Sequence, residues 1–305
     1  MSSSSGGKSS YNKPWLSIPD QLFKLESRGL VINDQKAAQD FLWHLNYYRF
    51  SGYCLAFEQS RHTFVSGTTF EQVRASYQFD VSLRDLLTEA LEVIEVDARS
   101  IIAHIFGDKY GAFGHLDTVN FRKSFKHSDW IVRVREEAGR SSEKFVTHFQ
   151  NNYIEFPDLP CWIATEVTTF GTVSKMYEGL LDQCQNPIAS RYGLQKGDFE
   201  SALHHLSYVR NVCAHHSRVW DRVWSIMPRV PIGKFWQPPL MPTKNNIFVT
   251  LVMIYRVLKQ CSASKPFAIE WRKRVNELMK NPPSTVNALQ RMGMSADWYK
   301  HPYWV

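Results

Sequence analysis

Arg210-Asn211-Val212-Cys213-Ala214-His215-His216-Ser217-Arg218-Val219-Trp220 is the stretch on which the reading of this chain turns. Around it, Leu203, Leu206, Val209, Val212, Cys213, His216, Val219, Trp220 and Val223 recur at three- and four-residue steps. That spacing predicts an amphipathic helix over 203–224 with one buried face. At about 100° per residue, His204, Asn211, His215, Arg218 and Arg222 share a narrow stripe on the opposite face. Arg210 flanks that stripe, roughly 100° off it. No Pro or Gly lies between Gly197 and Pro228, so no sharp kink is expected. A helix that buries one side and presents an amide, imidazoles and guanidiniums on the other is suited to phosphate. The plainer reading of the same stretch is a solvated polar face.

Composition frames what such a face serves. The chain has 305 residues, 44% hydrophobic and 21% charged, enough to bury a sizeable core. A formal net charge of +7 favours an anionic partner, nucleic acid before a membrane surface. Cys54, Cys161, Cys184, Cys213 and Cys261 are scattered, with no Cys-x-x-Cys pair, which argues against a disulfide framework and a zinc ribbon. That usage fits a reducing cytoplasm. Residues 1–10 are Ser/Gly-rich without an apolar core, so a floppy tail is expected rather than a signal peptide. The most apolar run, 247–258, is interrupted by Arg256 and too short to span a bilayer. A cytoplasmic protein off the membrane is the expectation.

Outward from the central stretch, the pattern is helical nearly throughout. Helices are predicted over 20–27, closed by Gly29, and from an Asp34 cap through Tyr48. Residues 54–68 suggest a loop or short hairpin. A helix from Thr69 leads into a longer one over 80–106, whose core stripe is Leu83, Leu87, Ala90, Ile94, Ala98, Ile101 and Ile105. Arg84, Glu92, Glu95 and Arg99 sit off that stripe, and Glu95–Arg99 is spaced for a surface ion pair. A charged helix or helix pair follows to Asn151, then a helix over 161–181 with Pro160 at its first turn. Asn186-Pro187 and 193–197 read as a connection. Pro228, Pro231, Pro238, Pro239 and Pro242 mark an extended strap anchored by Trp236, and helices over 245–260 and 266–280 complete the count. The aromatic end, with Trp298 and Trp304, is expected to pack on the body. No βαβ alternation or internal repeat is present. The fold class is all-α, divided into a disordered tail (1–12), an N-terminal helical segment (13–68), a helical core (69–262) and a packed C-terminal extension (263–305).

Several separated motifs resemble one family. They are Lys13-Pro14 with Gln21, Leu22, Leu25 and Gly29-Leu30; Asn46-Tyr47-Tyr48-Arg49 with Gly52-Tyr53; Asp80 with Leu83-Arg84; and Ile94-Glu95 with Arg99. Then come Pro160, Trp162, Glu166, Phe170-Gly171 and Ser174; Arg210-Asn211, Ala214-His215 and Arg218; and Met292-Gly293 with Trp298. Together they resemble the Abi-like proteins of abortive infection, the AbiD and AbiF type, whose core belongs to the HEPN superfamily. The resemblance implies a HEPN-type helical bundle and metal-independent endoribonuclease activity, in phage defence or as a toxin. Arg210, Asn211 and His215 match the superfamily's Arg-Asn…His signature and are the implied catalytic residues. His215 would act as acid and base, Arg210 would hold phosphate in a bidentate grip, and Asn211 would orient either. A single-copy chain is expected to form a homodimer. No cofactor is implied.

RNA is thus the expected partner, with Arg218, Arg222, Arg49 and Tyr48 as binding residues. The aromatics around Arg49 suit base stacking, or else form a packed corner with the Arg paired to a carboxylate. Glu166, Ser174 and His216 are supporting candidates. Glu166 reads first as the structural partner of an Arg, and His216 as a satisfied core histidine. Cys213 is excluded as a nucleophile by burial, and His204, His205 and His215 lack the carboxylate or thiolate of a zinc site. A second function class stays open, a non-catalytic protein holding a small regulatory RNA on the same basic face.

Overall fold

The computed structural model describes residues 10–231, 233–261 and 265–305. Most of the expected tail (1–12) and the expected boundary at 262–263 therefore lie outside the described residues. The rest is helical, apart from one hairpin of two short strands, as the all-α reading requires. The chain divides into two compact units. One is Met1–Gln78 with Pro283–Val286; the other is Phe79–Pro282 with Asn287–Val305.

In the first unit, α1 (Ile18–Glu26) starts under a Ser17 cap that accepts from the Asp20 amide. Gly29, at φ 94°, then turns the chain where a side chain would be strained. Asp34 caps α2 (Gln35–His44) through the Ala37 amide. The single helix expected through Tyr48 is in fact two, because Leu45 is extended and Asn46 caps α3 (Tyr47–Cys54) with its own side chain. β1 (Glu58–Ser60) and β2 (Thr63–Phe64) form the hairpin. Phe41, Phe50, Phe70 and Tyr77 meet edge-on or stacked, with centroids 4.6–6.0 Å apart, and form an aromatic core. The cluster around Arg49 splits accordingly. Phe50 and Tyr53 are buried, while Tyr48 and Arg49 lie on the exposed side of α3.

The two helices expected after Thr69 are one, α4 (Phe70–Tyr110), of 41 residues. Leu83, Leu87, Ala90, Ile94 and Ala98 are buried as predicted. Beyond Ala98 the stripe steps to Ile102 and Phe106, leaving Ile101 and Ile105 half-buried. A 3.6-residue turn makes a fixed heptad face drift in this way. α5 (His127–Arg140) and α6 (Lys144–Asn152) are the expected charged pair. The helix expected over 161–181 breaks at Thr168, giving α7 (Cys161–Val167) and α8 (Phe170–Gly179) under a Thr169 cap.

The stretch around Asn186-Pro187 is no connection. It lies inside α9 (Asp182–Arg191). Pro187 and Gln183, one turn before it, are both exposed, so water can replace the backbone bond that Pro removes. α10 (Lys196–Ala214) packs against α8 and α9. α11 (Ile247–Leu258) is buried on nearly every side and forms the centre of this unit, with α12 (Lys265–Leu278) beside it. After α13 (Ala288–Arg291) the aromatic end packs as expected. Trp304 is buried, its indole donates to Asn276 Oδ1, and its carbonyl accepts from Arg272. Trp236 anchors the proline strap in the same interior. Among the described residues no helix is long and apolar enough to cross a membrane.

Candidate functional site

The decisive stretch does not stay helical. α10 ends at Ala214, with His215 as its C-cap and His216 in the left-handed region at φ 52°. The His216 amide donates to the Cys213 carbonyl at 2.8 Å, and the Ser217 amide to Val212 at 3.0 Å. Those two bonds are a Schellman closure, which satisfies the helix's last carbonyls. Such an end usually takes glycine. A histidine there is the reason the stop was not visible in the sequence.

Val219 and Trp220 are buried as the periodicity suggested, but they reach the core from a loop. Asp80, itself fully buried on α4, accepts the amides of Val219 (2.9 Å) and Trp220 (2.8 Å) on Oδ1. Its other oxygen pairs with Arg84. A charged acceptor for two backbone donors is a strong local clamp, and it fixes the loop that leaves His215. Two placements change with the helix end. His216 is exposed rather than a core histidine, and Val223 is exposed rather than on an apolar face.

A second buried network holds Arg210. Its Nε lies 3.4 Å from Glu95 Oε2, and Glu95 also pairs with Arg99. The Arg99 guanidinium donates to the carbonyls of Thr165 and Thr168 (2.5 Å for the latter) where α7 ends, and its Nη1 lies 3.5 Å from the Glu166 carbonyl. Glu95 and Arg99 are buried, so the surface pair expected from their spacing is an interior one. The chain of contacts thus runs from the end of α7 through α4 to an arginine whose side chain is 44% exposed. Positive charge near those carbonyls complements the negative end of α7.

The exposed surface of α10's end consists of Arg210, Asn211, Ala214, His215 and His216, with Ser217 and Arg218 half-buried beyond. Arg222 is half-buried too, its Nη1 3.4 Å from the Arg218 carbonyl. The Glu166 side chain is exposed and makes no ion pair among the described residues; only its backbone meets an arginine. Ser174 is buried in α8. Tyr48 and Arg49 belong to the other unit. The buried carboxylates Asp80 and Glu95 support this end of α10 and are not among the residues that the sequence pattern singles out as a site. Their signal is two acid–arginine pairs at i,i+4 on one helix, both off the apolar stripe and both inside the recurring motifs.

The neighbouring titratable groups are structural. His205 is fully buried, with Nδ1 2.7 Å from the Ile226 carbonyl and Nε2 2.9 Å from Thr250 Oγ1. The carbonyl can only accept, so the proton sits on Nδ1 and Nε2 accepts from the threonine. Burial pulls the His205 pKa down to about 4. Burial also pushes the Cys213 thiol up to about 12, as expected of an inert cysteine. All five cysteines are free and buried. Among the described residues, no three His, Cys, Asp or Glu side chains gather where they could hold a metal ion.

Two buried acid–arginine networks thus lie behind one helix end of an all-α body, and Arg210, Asn211 and His215 are exposed there. The chain belongs to the Abi-like protein family, whose model matches residues 40–221, more than half of the sequence. That span contains both networks and the whole end of α10. No curated protein and no solved structure matches the chain. The family points to abortive infection, a defence against phage.

Proposed function

We propose that this protein is a metal-independent endoribonuclease of the HEPN type, with Arg210, Asn211 and His215 as its reaction centre. The observation that carries the reading is the anchoring of Arg210. A buried carboxylate, itself paired with a buried arginine, lies 3.4 Å from a half-exposed guanidinium about 1.4 helical turns before an exposed imidazole at the helix end. A purely solvated face needs no such interior support. A reaction centre does, because its groups must be held in place before substrate arrives.

The chemistry follows from these side chains. A ribose 2′-oxygen gives up its proton to a base and bonds to the adjacent phosphorus. The bond from phosphorus to the 5′-oxygen then breaks, and that oxygen takes a proton. His215 is the acid/base group, Arg210 neutralises the charge that builds on the phosphate oxygens, and Asn211 orients the phosphate or the imidazole. The products are a 2′,3′-cyclic phosphate and a 5′-hydroxyl. Arg218 and Arg222 extend positive charge beyond the helix end and serve as contacts for neighbouring phosphates. Arg49 and Tyr48 on α3 are proposed as further RNA contacts. Two copies of the chain, each contributing Arg210 and His215, form the working assembly.

The test is incubation of end-labelled RNA with wild type and His215→Ala in excess EDTA. Cleavage by wild type and none by the variant is the expected result. Binding without cleavage by the wild type would replace this reading with that of an RNA-holding protein.

A further inference from the structure

The ion-pair chain behind Arg210 leads to a second feature that the reaction centre does not use. Glu166, at the end of α7, shares Arg99 with Glu95 through its backbone carbonyl. Its exposed side chain lines a groove of about 510 Å3 between α4 and α7, together with Ser100, His104, Asp108 and Trp162. Along α4, Ser100 lies about 7.5 Å beyond Glu95 and Asp108 about 20 Å beyond it, at 1.5 Å per residue. At about 100° per residue these groove positions also lie roughly 140–220° around the helix from Glu95, so the groove is a separate surface on another side of α4.

Its floor and walls have a particular chemistry. Trp162 is 49% exposed, an unusual state for an indole. A Cβ at position 107 would lie 3.3 Å from Cys161 Sγ and 3.4 Å from Trp162 Cε3, so Gly107 allows the indole to rest close on α4. Nearly half of the Trp162 surface stays open to solvent. Around it stand a hydroxyl, an imidazole and two carboxyl groups, all exposed. A phosphate would be a poor occupant between Asp108 and Glu166. A flat aromatic group with amino donors on its edge suits both parts, because its face stacks on the indole and its amino group donates to a carboxylate.

We infer that this groove is a nucleobase subsite for single-stranded RNA, with Trp162 as the stacking platform and Glu166 and Asp108 selecting bases that carry an amino group, cytosine over uracil. The inference rests on the proposed RNA reading and names where an unpaired base away from the cut is held. Double-stranded RNA is excluded, since in a duplex stacking covers the base faces and pairing occupies the amino edges.

The test measures binding of short fluorescein-labelled oligo(C) and oligo(U) to the His215→Ala protein, beside cleavage by the parent chain. Oligo(C) binds tighter than oligo(U), Trp162→Ala weakens binding about tenfold or more, and Trp162→Phe restores most of it. Glu166→Gln combined with Asp108→Asn removes the preference for cytosine, and the affinity for oligo(U) rises as two negative charges leave the groove. Unchanged affinity in a folded Trp162→Ala protein overturns the subsite, and RNA cutting by the parent would survive that result. Binding that depends on Trp162 without any cleavage overturns the nuclease reading and keeps the subsite. A folded protein that binds neither oligonucleotide overturns both.

Discussion

Replacing Glu95 with Gln and Arg210 with Ala separates anchoring from chemistry, because the two sides of that contact differ in burial. Glu95 and Arg99 are 9% and 7% exposed, so removing the carboxylate's charge leaves Arg99 in the interior without its counter-ion. Breaking a buried pair costs about 3–5 kcal/mol. Arg99 keeps its bonds to the α7 carbonyls, which lowers the cost to about 2–3 kcal/mol in Glu95→Gln. The contact to Arg210 adds at most about 0.5 kcal/mol, since that arginine is 44% exposed and screened by water. At about 2–4 °C per kcal/mol, Glu95→Gln should melt roughly 4–12 °C below wild type. Arg210→Ala leaves the buried pair intact, so its loss stays under about 1 kcal/mol, or under roughly 4 °C. Both variants should lose RNA cleavage, Arg210→Ala completely and Glu95→Gln in part, because its arginine is present but no longer held. Thermal melts followed by circular dichroism, beside cleavage of end-labelled RNA, read both quantities. An Arg210→Ala protein that melts as low as Glu95→Gln would mark Arg210 as a structural residue and refute the reasoning.

Three further outcomes are expected. Replacing Arg218 and Arg222 together with Gln should flatten the slope of log K against log salt for RNA binding by roughly one to two counter-ions; an unchanged slope removes these arginines from the RNA path. Stability should fall as pH drops from about 6.5 to about 4, because the unfolded chain takes up protons that two buried histidines refuse, His205 and His115 in the short turn after α4 (both held at about 4 by burial). Each group contributes about 3 kcal/mol across that window, so urea midpoints against pH should show the loss and His205→Gln should reduce it by about half. Finally, sedimentation at concentrations where RNA is cut should give a mass near twice 35.5 kDa, and an active 35.5 kDa monomer would end the paired assembly.

Much of the fold follows from side-chain periodicity. The core face of α4, the buried α11 and the packed aromatic end are all legible, since each depends on apolar spacing alone. What escaped notice depends on single polar groups. Asn46 and Thr169 restart helices that periodicity runs through. Pro187 sits within α9 because its face of that helix is exposed. The end of α10 is set by a left-handed histidine and by a carboxylate on another helix, which no spacing rule within the stretch can foresee. The residues of the candidate site were visible as types in a pattern. Their support was not, because a buried Glu95–Arg99 pair and an exposed one have identical spacing.

In the proposed reaction, RNA is cut through its own 2′-hydroxyl at the Arg210–His215 surface. The most direct measurement maps the cleavage site in EDTA, identifies the product ends, and repeats the reaction with a single 2′-deoxyribose placed 5′ to that bond. Attack by the 2′-oxygen gives 2′,3′-cyclic phosphate and 5′-hydroxyl ends, with no cutting at the deoxy position. Cleavage that continues there, or ends bearing a 5′-phosphate, would contradict it.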